Sequence, residues 1–149
     1  MAEPGPGPDE VSARLRSLAD RCRAQLAGVA TVTADGAGVL LRPVREGAVA
    51  VGWTDLGDRL QVQVHAPGGG GRFDTPARTG EDAALVELLV EGVVGGRASG
   101  LTARHHARVE IRLADGVTSD GDAAGWPQRV SRVDFRAYRE RTPRSARRR

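Results

Sequence analysis

The chain has 149 residues, enough for one domain that buries its own core without disulfide or metal staples. Hydrophobic residues make up 40% of it and aromatics only 3%, so the core must be aliphatic, and the scarcity of rings argues against a base-stacking platform for single-stranded nucleic acid. A single cysteine excludes an internal disulfide, and no run approaches the roughly 18 apolar residues of a membrane span.

The N-terminus lacks a basic region followed by an apolar stretch, so it does not read as a secretory signal. A soluble, cytoplasmic protein is the expectation. All 22 basic residues are arginine, a bias that fits GC-rich coding such as that of actinobacteria. The net charge of +3 is unevenly spread. Residues 137–149 carry six arginines against one glutamate, or +5, and leave −2 on residues 1–136. The basic character therefore belongs to the end of the chain and not to the fold.

Residues 1–8 are rich in Pro and Gly and are expected to be disordered. A single domain is expected over 9–138. Asp9 or Ser12 can cap a first helix, in which Val11, Leu15, Leu18, Cys22 and Leu26 form one apolar stripe. Gly28 is a natural stop. Cys22 lies in that stripe and reads as a buried thiol.

A run of strands follows. Residues 29–34 and 39–44 flank the turn Asp35-Gly36-Ala37-Gly38 and read as a hairpin. Val49, Val51 and Trp53 alternate on one face. Beyond a turn at 55–58, Leu60, Val62 and Val64 point inward, with Gln61, Gln63 and His65 outward. Residues 72–75 suggest a short strand after the glycine run. Thr79 caps a second helix, with Asp82 as its capping-box partner. Leu85, Leu88, Leu89 and Val93 are its expected buried stripe, with Glu87 facing water. Residues 97–103 make a weak strand. Ala107, Val109, Ile111 and Leu113 alternate with Arg108, Glu110 and Arg112. Residues 117–129 read as a loop, and Val133, Phe135 and Ala137 suggest a last strand. The predicted fold is α+β, an antiparallel sheet of about five to seven strands with two helices packed on one face.

The motifs that would carry chemistry are weak. Gly68 to Gly71 leads into Arg72-Phe73-Asp74 and not into a helix, so it lacks the setting of a phosphate loop. His105 and His106 are adjacent, so in a strand they point to opposite faces and cannot readily share a metal. With His65 and Cys22 they are the chain's nitrogen and sulfur ligands, at no metal-site spacing. Asp120, Asp122 and Gly125 match part of a calcium loop, but Ser131 stands where the bidentate acid belongs. No nucleophile elbow or helix-borne carboxylate pair is present. The chain is therefore read as non-enzymatic, with no cofactor, metal or membrane partner.

Two surfaces remain. Gln61, Gln63, His65, Arg108, Glu110 and Arg112 are a candidate interaction surface on an open sheet face. Arg139, Arg141, Arg144, Arg147, Arg148 and Arg149 form a disordered tail that could bind anions. The stretch from Leu85 to Gly116 loosely resembles, in size and pattern, some immunity proteins of bacterial toxin systems, with no shared site motif. The leading expectation is a small bacterial protein-interaction domain, immunity-like or regulatory, with an unidentified protein partner. The alternative is a nucleic-acid-associated protein that binds through the tail. An enzyme with an unrecognised, scattered site is the weaker third option.

Overall fold

A computed structural model describes residues 6–67, 70–103, 106–119 and 131–140. It shows an antiparallel α+β fold. In chain order the elements are α1 (Pro6–Gln25), β1 (Ala30–Asp35), β2 (Gly38–Pro43), β3 (Ala50–Asp55), β4 (Leu60–His65), β5 (Gly71–Asp74), α2 (Gly80–Val94), β6 (Ala98–Ala103), β7 (His106–Leu113), β8 (Gly116–Ser119) and β9 (Ser131–Asp134). The strands divide into two sheets, of order β1-β2-β3-β4-β5 and β8-β7-β6-β9. The first is a meander, because each strand is followed by a short turn and pairs with the next.

Helix α1 begins at Pro6, three residues before Asp9. Proline is tolerated in a first helical turn, where its missing N–H would have no partner. The stripe Val11, Leu15, Leu18, Cys22 and Leu26 is buried throughout, as its spacing requires. Gly28 then takes φ +83°, the left-handed conformation that releases the chain toward β1.

Helix α2 starts with the capping box expected from Thr79 and Asp82. The Thr79 N–H donates to Asp82 Oδ2 at 2.9 Å, and the Asp82 N–H donates to Thr79 Oγ1 at 3.3 Å. Its buried face differs from the expected stripe. Ala83, Val86, Leu89, Val90 and Val93 are buried, whereas Leu88 is 49% exposed. The helix is apolar on most sides, so composition alone does not fix which face turns inward. That choice is made by its neighbours, since α2 touches α1, β3, β4 and β7. Glu87 also departs from the reading as a water-facing residue. Arg14 Nε and Nη2 donate to its two carboxylate oxygens at 3.2 and 3.3 Å and so join the two helices.

The core lies between the helices and the inner faces of the sheets. Leu41, Val51, Trp53, Leu60, Val62 and Val64 come from the larger sheet, and Ala98, Val109 and Ile111 from the smaller. Helix α2 meets β7 at Gly92, where an added Cβ would stand 2.5 Å from Ile111 Cγ2. Gly92→Ala is therefore expected to destabilise the fold, although alanine gains about 1 kcal/mol of helix propensity. Overpacking costs about 1–3 kcal/mol, so the urea midpoint should fall. An unchanged or raised midpoint would show that β7 retreats freely.

The smaller sheet corrects one expectation. Val117 to Ser119 is not loop: Gly116–Ser119 pairs with β7 in the register Leu113↔Gly116 to Glu110↔Ser119. The turn around Asp115 returns the chain at once, and a backbone ladder does not need apolar side chains. Beyond it, Asp120, Asp122, Gly125 and Trp126 lie outside the described residues. No helix among the described residues is long and apolar enough to cross a membrane.

Candidate functional site

Both helices pack on the inner face of the larger sheet, and no element among the described residues covers its outer face. Alternation along each strand decides what is displayed there. One row across the register reads Thr33, Leu40, Gly52, Gln63 and Arg72, and the next reads Asp35, Gly38, Thr54, Gln61 and Asp74. Across β1 to β4 this face forms an open trough of about 700 Å³. Its lining includes Thr33, Asp35, Leu40, Arg42, Thr54 and His65.

The floor follows from one glycine. A Cβ on Gly52 would stand 2.7 Å from the Val39 carbonyl and 3.3 Å from Leu40 Cδ1, so a side chain there would fill the space beside Leu40. Leu40 therefore supplies an apolar centre to a polar wall. The charges lie at opposite ends. Asp35 sits at the hairpin end of β1, whereas Arg42 and His65 lie toward the other end of their strands. Gln63 is fixed by a bond from its Nε2 to Gln61 Oε1 at 2.6 Å, and Gln61 Nε2 donates to Asp74 Oδ1 at 2.8 Å. Gln61 is thereby buried and does not face water as its outward position suggests.

The sequence-derived surface is thus divided. Gln61, Gln63 and His65 lie on β4 in the larger sheet, while Arg108, Glu110 and Arg112 lie on β7 in the smaller. The second group is tied up in its own network. Arg108 Nη2 donates to Glu110 Oε1 at 3.3 Å, and Arg132 Nη2 donates to Glu110 Oε2 at 3.0 Å. Arg112 Nη1 donates to Ser99 Oγ at 3.2 Å, and that hydroxyl donates to Asp134 Oδ1 at 2.6 Å. Arg108 and Arg132 thus share the Glu110 carboxylate across β7 and β9, which suits a structural role, whereas Arg112 is held by a neutral hydroxyl.

No known protein family, curated protein or solved structure matches this chain.

A second surface is basic. Arg45, Arg97, Arg112 and Arg136 line a crevice of about 430 Å³ beside the C-terminal end of α2. Among the described residues none of the four has a carboxylate within ion-pairing distance. Arg136 and Ala137 form part of its wall. Arg139 lies nearby in sequence and its Nη2 donates to the Gln25 carbonyl at 2.6 Å. Arg141, Arg144, Arg147, Arg148 and Arg149 lie outside the described residues.

The remaining reactive groups are set apart. Cys22 is buried against α2, and burial pushes its thiol up, with Arg21 opposing. His105 lies outside the described residues, and no group of three or more His, Cys, Asp or Glu among the described residues could hold a metal. Sequence reasoning missed Thr33, Asp35, Leu40, Arg42 and Thr54 as trough residues. It assigned faces strand by strand without ordering the strands. Reading the successive turns as one meander would have put β1 to β4 side by side.

Proposed function

We propose that this chain is a small non-enzymatic interaction domain, immunity-like or regulatory, that docks a protein partner in the trough of the larger sheet. The observation that carries the reading is the outer face, which no described residue covers, with an apolar centre at Leu40 and opposite charges at its two ends. A partner that fits presents an apolar side chain to Leu40. It places a basic group near Asp35 and an acidic group near Arg42. Apolar contact gives such a complex its affinity, and the paired charges fix its orientation.

The test inverts the trough without changing the net charge. Asp35→Arg combined with Arg42→Glu is compared with the intact chain in co-purification at low and at physiological salt. The expected result is one protein partner retained at both salts, with affinity at least about tenfold weaker for the double variant, or roughly 1.4 kcal/mol. Retention unaffected by the inversion would contradict the reading.

The arginine-lined crevice favours a second reading, in which this crevice and the C-terminal arginines bind nucleic-acid phosphates. That contact would weaken steeply as salt rises. Recovery of nucleic acid alone, lost at physiological salt, would establish it in place of the first.

A further inference from the structure

The larger sheet ends at β1, and that edge is unusually open. Sheet edges are ordinarily protected by charge, proline, a bulge or brevity. The opposite edge, β5, has four residues and carries Arg72 and Asp74. In the smaller sheet β9 has four residues and carries Arg132 and Asp134. Strand β1 has six residues and pairs with β2 without a bulge. It holds no charge until Asp35 and no proline.

Its ladder has a defined phase. Asp35 and Gly38 close a two-residue turn, and the Val44 N–H donates to the Val29 carbonyl at 3.0 Å in the same register. In an antiparallel pair, hydrogen-bonded positions alternate with positions whose backbone groups point away. Residues 29, 31, 33 and 35 therefore face β2, and residues 30, 32 and 34 direct their backbone groups to the free edge. The Ala30 N–H is already given to the Leu26 carbonyl. Among the described residues, the Val32 N–H and carbonyl, the Ala34 N–H and carbonyl, and the Ala30 carbonyl have no partner and remain for an outside strand.

The strand also reads the same in both directions about Val32: Ala30-Thr31-Val32-Thr33-Ala34. A second copy laid antiparallel about a two-fold axis at Val32 sets Val32 against Val32, Thr31 against Thr33 and Ala30 against Ala34. The phase agrees, because Val32 is one of the positions whose donor and acceptor face outward. Threonine pairs meet on the outer face, and small apolar residues meet on the inner face. Asp35 falls opposite Val29, so no like charges oppose each other.

We propose that two copies of this chain assemble through β1, so that the two five-stranded sheets become one continuous sheet about a two-fold axis. The assembly places Thr33 and Asp35 of both copies side by side and joins the two troughs edge to edge. It does not depend on what the trough binds.

The test uses the intact chain with Thr31→Glu plus Thr33→Glu, and separately with Thr31→Arg plus Thr33→Arg. Both positions are exposed on the outer face, and circular dichroism checks that the fold is kept. Light scattering is expected to give the mass of a dimer for the unaltered chain and of a monomer for each double variant. Mixing the two variants is expected to restore a dimer, since Glu then faces Arg across the axis. Slow amide exchange at Val32 and Ala34, lost in each variant alone, is the matching local signal. A monomer mass for the unaltered chain up to about 100 μM, well above a weak Kd of ~10 μM, would overturn the proposal. So would a dimer that survives both double substitutions, or mixed variants that stay monomeric.

Discussion

Tyr138→Ala is expected to lower stability by about 3–5 kcal/mol, and Tyr138→Phe by about 1–2 kcal/mol. The ring is fully buried, and its hydroxyl donates to the Val49 carbonyl at 2.6 Å. The Leu41 carbonyl stands 3.4 Å from the same oxygen. Its backbone N–H donates to the Val94 carbonyl at the end of α2 at 2.9 Å. The residues before it extend the tie. The Phe135 N–H donates to the Ala98 carbonyl and the Arg136 N–H to the Gly47 carbonyl, each at 2.9 Å. Arg45 Nη1 donates to the Ala137 carbonyl at 3.1 Å. Residues 135–138 thus join the larger sheet, α2 and the start of β6. Burial pushes the phenol far above its ordinary range, so it remains a donor at every working pH. The alanine variant loses the packing and the tie, whereas phenylalanine deprives the buried Val49 carbonyl of its hydroxyl donor. Urea unfolding of the full chain measures both. A loss below about 1 kcal/mol for the alanine variant would show that the strap is dispensable.

The second large effect concerns Asp55 and Arg78. Arg78 Nε and Nη2 donate to the two Asp55 carboxylate oxygens at 2.8 and 2.7 Å, and Nη2 also donates to Ser12 Oγ at 3.1 Å. This fork ties the end of β3 to the segment before α2 and to α1. The hydrogen bonds from Arg78 hold the Asp55 carboxyl below its ordinary value, against the opposing effect of burial. Asp55→Ala should cost about 1.5–3 kcal/mol, the range for hydrogen bonds to a charged group. The pH dependence has a fixed sign. The folded value is depressed, so the unfolded chain takes up the proton more readily. This contribution is complete above the ordinary aspartate value of about 4 and is lost as pH falls through the folded value. Urea midpoints from pH 7 down to about pH 3 should fall for the unaltered chain, with a shallower fall for Asp55→Ala. Parallel curves would mean that the pair does not couple folding to protonation.

The fold was legible where one periodicity dominated. The α1 stripe and the alternation of Val49, Val51 and Trp53, then Leu60, Val62 and Val64, each determine a single buried face. Helix α2 was legible in extent, through Thr79 and Asp82. Its facing was not, because Leu, Val and Ala lie on nearly every side and only packing against α1 and β7 exposes Leu88. The division into two sheets was not legible either. It depends on where β6 and β7 pair after α2, a long-range choice that local patterning does not encode. The same limit applies to the site. Outward-facing residues could be named on each strand, but Gln61, Gln63 and His65 were grouped with Arg108, Glu110 and Arg112 on a face they do not share. Glu110 meets Arg132 and Arg112 meets Ser99 instead. The arginine-lined crevice draws Arg45, Arg97, Arg112 and Arg136 from four separate segments, so no local signal marks it.

The most direct test of the trough as the docking surface is photo-crosslinking from position 63 of the intact chain at physiological salt, with position 136 as the comparison. Adducts to one protein at position 63, lost when Asp35→Arg and Arg42→Glu are introduced together, are the predicted result. Adducts at position 136 to nucleic acid, with none to protein at position 63, would contradict the account.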